Sequence, residues 1–138
     1  MNYNTTIMVE IPQEDKTLCL PNSFIMGFIG DCLDSANSPI RVKSGSKLLA
    51  HPISAKELSE HIGKLITFVL DGDLLDGNDV IFRSGVYNTK YLSSVSSDSV
   101  EVKCFNPIER AVKILPFFVK FFVVDKVYTP QQVESLGW

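Results

Sequence analysis

Asp71, Asp73, Asp76 and Asp79 crowd into one short stretch and form the densest set of metal-type ligands in the chain. A calcium loop needs oxygen ligands at its first, third and fifth positions, a glycine at the sixth and a glutamate at the twelfth. Counted from Asp71, those last three places hold Leu75, Asp76 and Phe82. The motif fails, and the Asp-Gly steps around Gly72 and Gly77 are turn chemistry. No metal and no other cofactor is expected.

The remaining catalytic residue types are as sparse. His51 and His61 are the only histidines. His51 precedes Pro52, which pushes it toward an extended conformation. His61 sits near the end of a predicted helix, where a cation complements the helix dipole. No Gly-x-Ser-x-Gly elbow, Gly-rich phosphate loop or Gly-Lys-Ser/Thr step occurs, which removes the common hydrolase and nucleotide-binding signatures. Cys19, Cys32 and Cys104 have no Cys-x-x-Cys spacing and lie among apolar neighbours. They read as reduced thiols of a cytosolic protein. No enzyme is expected.

The run Phe117-Phe-Val-Lys-Phe-Phe-Val-Val124 is the most unusual feature. As a strand it points Phe117, Val119, Phe121 and Val123 to one side and Phe118, Lys120, Phe122 and Val124 to the other. A strand apolar on both faces is covered twice: by the core, and by a second core layer or another protein. Phe118, Lys120, Phe122 and Val124 are therefore the candidate partner-binding residues, toward a second copy (a homo-oligomer) or another protein. The alternative is a single-stranded nucleic-acid site, in which Arg83, Tyr87, Lys90 and Tyr91 interleave rings with cations.

These side chains must be carried by the elements that the pattern predicts. Thr5–Ile11 and Lys16–Leu20 read as an N-terminal hairpin. Pro21-Asn-Ser23 reads as the opening of a helix with an apolar stripe at Phe24, Ile25, Phe28, Ile29, Cys32 and Leu33. Pro39–Lys43 and Lys47–Ala50 read as a hairpin around Ser44-Gly-Ser46. Ser54-Ala-Lys-Glu57 is a capping box for a short helix over Ala55–Ile62, stopped by Gly63. Leu65–Leu70 suits a strand buried on both faces. Val80–Arg83, Tyr87–Val95 and Ser99–Phe105 read as further strands. Asn106-Pro-Ile-Glu109 opens a helix ended by Pro116, and Thr129-Pro-Gln-Gln132 opens a terminal one. The stretch Tyr91–Val102 resembles the two middle strands of small barrels of the Sm or SH3 type, as any well-alternating hairpin does. The helix start at Pro107 departs from such a barrel, and no family is assigned.

The chain has 138 residues, 45% of them hydrophobic and 21% charged, which suits one globular domain. The expectation is a single α+β domain over 1–138, with a hairpin-and-helix part over 1–63 and a strand-rich part over 64–138. Its sheet is mixed or mostly antiparallel, barrel-like in the meander, with three to four short helices. The net charge of -3, with ten lysines and only Arg41, Arg83 and Arg110 as arginines, does not favour nucleic-acid recognition. No secretory signal or stretch of about 20 apolar residues is present, so no membrane is expected as a partner. Lysine over arginine, with many Asn and Ser, fits an AT-rich genome such as a phage's. The sequence thus reads as a non-catalytic protein-binding or structural module of the cytoplasm, the host's if it is phage-encoded.

Overall fold

A computed structural model describes residues 12, 15–16, 20–29, 33–34, 40–104, 112–116 and 119–138. Nine strands dominate it. They are β1 (Phe24–Gly27), β2 (Lys47–Ile53), β3 (Leu65–Leu70), β4 (Leu74–Asp76), β5 (Asp79–Phe82), β6 (Asn88–Val95), β7 (Val100–Lys103), β8 (Val112–Ile114) and β9 (Val119–Tyr128). Seven form one antiparallel sheet in the order β1-β2-β9-β3-β6-β7-β8, while β4 and β5 make a separate hairpin. The described residues are 47% strand and 14% helix, with two short helices: a 3-10 helix over Ala55–His61 and α1 over Pro130–Ser135. The protein is mostly β, which corrects the α+β expectation with three to four helices.

Three local causes account for that correction. Pro21-Asn22 forms a tight turn, with Ser23 N donating to Leu20 O at 3.0 Å and Asn22 at φ 66°. Proline followed by a residue of positive φ is the chemistry of a type II turn rather than of a helix cap. The chain therefore leaves the turn as edge strand β1, pairing Phe24 with Ala50 and Met26 with Leu48. The predicted helix after Pro107 is contradicted where it is described. Val112–Ile114 runs as β8 along β7, placing Ile114 opposite Val100 and Val112 opposite Val102. Two β-branched residues with a lysine between them satisfy a strand, and the pairing buries Ile114. Ile40–Lys43 is not a strand but a covering segment, with Val42 N donating to Leu33 O at 3.0 Å.

Elsewhere the pattern lands where expected. Ser54 N and Oγ both donate to Glu57 at 3.1 and 3.0 Å, and Leu58 turns fully into the core. β2 runs on through His51 and Pro52, beyond the predicted Ala50. Pro52 lies past the last residue paired with β1, where its missing N–H breaks no ladder on that side. The predicted N-terminal hairpin lies outside the described residues apart from Lys16, in a 3-10 turn with Asp15, and Leu20.

The sheet is covered on both faces. One face packs Phe68, Ile66, Leu92, Val100, Val102 and Phe121 with Leu58 of the 3-10 helix and Phe82 of the hairpin. Further along it, Leu49, Ile25 and Tyr128 meet Val133 and Trp138 around α1. On the opposite face the cover among the described residues lies at one end, where Phe28, Leu33 and Val42 lie over Leu48, Leu65 and Tyr91. Among the described residues no helix is long and apolar enough to cross a membrane.

Candidate functional site

β9 places its side chains as alternation demands. Phe121 and Val123 are buried in or beside the main core, Phe122 and Val124 are half-buried on the opposite face, and Lys120 on that face is exposed. Within the candidate set, Val124 packs against the covered end of its face. Phe122 and Lys120 lie toward the other end. Phe118 lies outside the described residues.

Around Phe122 the fold gathers residues that the sequence scatters. Phe24 of β1 meets it edge-on, with ring centroids 5.2 Å apart, and Tyr87 lies 6.0 Å from it at a tilt. Tyr87 and Phe24 are themselves 6.2 Å apart. These separations suit favourable edge-to-face and tilted aromatic contact. Beneath them Thr67, directly opposite both Phe122 and Thr89 in the register, holds the Thr89 hydroxyl at 2.7 Å. That buried hydroxyl pair satisfies its own polar atoms and leaves the patch surface to the rings. Tyr87 remains 57% exposed. A groove of about 510 Å³ opens beside it, walled by Val69, Ser84, Gly85, Val119 and Lys120, with Asp71 at its rim.

The four residues of the nucleic-acid alternative do not come together. Tyr91 is buried, its hydroxyl donating to Ile40 O and accepting from Ile40 N at 2.8 Å. Burial pushes its phenol pKa up, partly offset by the bond from Ile40. Lys90 faces the other way, 3.1 Å from the buried Cys104 thiol and 5.8 Å from the Phe82 ring centroid. Arg83 is exposed at the hairpin root, and Tyr87 belongs to the aromatic patch. A stacking platform needs rings and cations on one surface; here they divide among a core, an opposite face and a loop.

Two polar arrangements escaped the sequence. His51 Nδ1 lies 2.7 Å from Asp125 Oδ2, with the side chains 14% and 15% exposed. Asp125 is the extra residue where the register of β2 on β9 shifts between Leu49 and Ala50. The bulge brings an acid to a histidine 74 residues away. Such a pair can orient an imidazole as a base. Among the described residues, though, no serine, threonine or cysteine bonds either histidine, and no group of three metal-ligating side chains forms. Asp125 and His61 line a cavity of about 620 Å³ with Leu65, Tyr91 and Val124. The second arrangement is Asp15, buried, whose carboxylate accepts from Lys126 Nζ at 2.7 Å and Tyr128 OH at 2.8 Å. The Lys126 bond above all holds its pKa below the usual carboxylate value, against the opposing cost of burial, and the Tyr128 bond adds to the depression.

The aspartates of the rejected calcium loop are turn and hairpin residues. Asp73 accepts from Ser84 N at 2.7 Å, and Asp76 faces Asp79 across the hairpin. Comparison of the chain with protein-family models, curated proteins and solved structures gave no match.

Proposed function

We propose that the chain is a non-catalytic protein-binding module whose docking surface is the patch of Phe24, Tyr87 and Phe122 with Lys120 at its edge. The observation that supports this is the half-open aromatic cluster on the less covered sheet face. An exposed tyrosine over two half-buried phenylalanines, beside a groove and a cation, has the composition of an interface core with a charged rim. The partner is a second copy or another protein. The dispersal of Arg83, Lys90 and Tyr91 speaks against a nucleic-acid strand. The buried Cys104 thiol, held in no disulfide, suits a reducing compartment, so the cytoplasm is the proposed setting, the host's if the source is a phage.

Light scattering on a sizing column, with absorbance read at both 260 and 280 nm, tests the reading when wild type and Tyr87→Ser are run side by side. The expected result is a protein assembly, with itself or a co-purifying protein, that Tyr87→Ser weakens while the thermal melt is unchanged. An assembly indifferent to Tyr87→Ser, or bound oligonucleotide, would overturn it.

A further inference from the structure

The β4–β5 hairpin is anchored at its root and uncovered at its tip. At the root, Leu74 and Phe82 enter the core, and the Phe82 ring meets Phe68 edge-on at 5.1 Å. Gly85 N donates to Leu70 O at 3.0 Å, closing the base. Toward the tip Gly77, at φ 63°, is the first of two turn residues, the place where a type II′ hairpin turn takes glycine. Between root and tip, Leu75, Val80 and Ile81 are 58%, 38% and 37% exposed. Leu75 and Val80 are directly opposite, so their side chains lie together on one face. A lone two-stranded hairpin is marginal in water, and aliphatic side chains left open on one mark a contact surface.

The tip also has an electrostatic need. Asp76 and Asp79 are directly opposite each other, and like charges in that register repel. Among the described residues neither has an ion-pair partner. The hairpin end is therefore aliphatic on one face and acidic on the other, and calls for a groove that grips it between an apolar wall and a cation. This chain has one: the groove at the hairpin root, with Tyr87 and Val119 in its wall and exposed Lys120 at its edge. Asp71 lines that groove too but forms no ion pair with Lys120.

The hairpin cannot serve its own groove. Its strands rise about 10 Å at roughly 3.3 Å per residue, and a hairpin fixed by Phe82 cannot fold its tip back onto its own root. A second copy can, if the two hairpins lie antiparallel, each tip at the other's root. That arrangement has two-fold symmetry and makes the same contact twice, as an isologous dimer requires. We infer that the β4–β5 hairpin of one copy docks in the groove beside Tyr87 of a second copy, setting Asp76 and Asp79 against Lys120, and reciprocally. The inference rests on the reading of the aromatic patch as a docking surface and names its occupant.

Charge reversal tests it. Four chains are compared by sedimentation velocity over a concentration series: wild type, Asp76→Lys/Asp79→Lys, Lys120→Glu, and the triple variant. Tyr87→Ser is added as a fifth, and circular dichroism melts confirm that each variant folds. Wild type is expected to dimerise. Each reversal should weaken the dimer by about tenfold or more, since attraction becomes repulsion. The triple variant should recover most of that loss. A dimer weakened by Tyr87→Ser but indifferent to all charge reversals overturns the hairpin as occupant and leaves the docking surface standing. A dimer lost on reversal in the hairpin, but unmoved by Lys120→Glu and Tyr87→Ser, overturns both. A wild type that stays monomeric throughout overturns the self-pairing, and the partner is then a different protein.

Discussion

Replacing Asp15 with asparagine isolates what its charge does for the fold. The carboxylate ties a turn near the start of the chain to β9, accepting from Lys126 at 2.7 Å and Tyr128 at 2.8 Å. Hydrogen bonds to a charged group contribute about 1.5–3 kcal/mol each, and neutral ones about 1. Asparagine keeps the shape and can still bond both partners, so the loss is the charge-assisted part. The charge-assisted part of the Tyr128 bond, which is buried, counts in full, whereas the Lys126 side chain is 31% exposed and its share is screened by water. The sum is about 1–2 kcal/mol. In urea that lowers the unfolding midpoint by roughly 0.5–1 M for a domain of this size.

The pH dependence of that loss is the sharper test. Asp15 titrates below its ordinary value of 3.8 in the folded state, so its contribution is fully present above that value. The contribution is lost as pH falls through the folded pKa, where both states take up the proton. The gap between wild type and Asp15→Asn should therefore be constant from neutral pH down to the ordinary carboxylate range and close only as pH falls below it. Urea titrations across that range measure it. A midpoint unchanged at neutral pH, or a gap that stays open in acid, would refute the assignment of the stabilisation to the ionised carboxylate.

Tyr91→Phe removes the hydroxyl that both donates to and accepts from Ile40. The covering segment over the second core then loses its tie, and the melting temperature should fall by about 4–8 °C, corresponding to roughly 1–2 kcal/mol. Phe68→Ala empties the centre of the main core, where the ring is fully buried against Phe82. A loss of about 3–5 kcal/mol in chemical denaturation is expected.

Strands were legible where polar and apolar residues alternate, as in the runs that became β6 and β7. Nearly all-apolar runs were legible too where turn residues bound them, as in the runs that became β3 and β9, but not in the stretch after Pro21. Phe24-Ile-Met-Gly-Phe-Ile satisfies a helical stripe and a strand equally well, and only the turn at Pro21-Asn22 distinguished them. That turn was the available signal for Phe24. Of the patch, Phe122 and Lys120 followed from the period of the strand, because a side chain's face is a local property. That Phe24 and Tyr87 would join them depended on β9 entering the sheet between β2 and β3, which no local pattern encodes. The His51–Asp125 pair was hidden for a related reason, since a single bulged residue decides whether the acid meets the histidine.

The strand order has a consequence in time. β9 is the last strand in chain order, yet it lies between β2 and β3, pairing His51 with Val123 and Ile66 with Val123 from its two sides. During synthesis β2 and β3 emerge first and each waits with an open edge for a partner made some fifty to seventy residues later. The closing step joins distant segments, so refolding belongs among the slow, millisecond-to-second β topologies. Until then Leu65–Leu70, nearly all apolar, is an unpaired edge of the kind that recruits another chain.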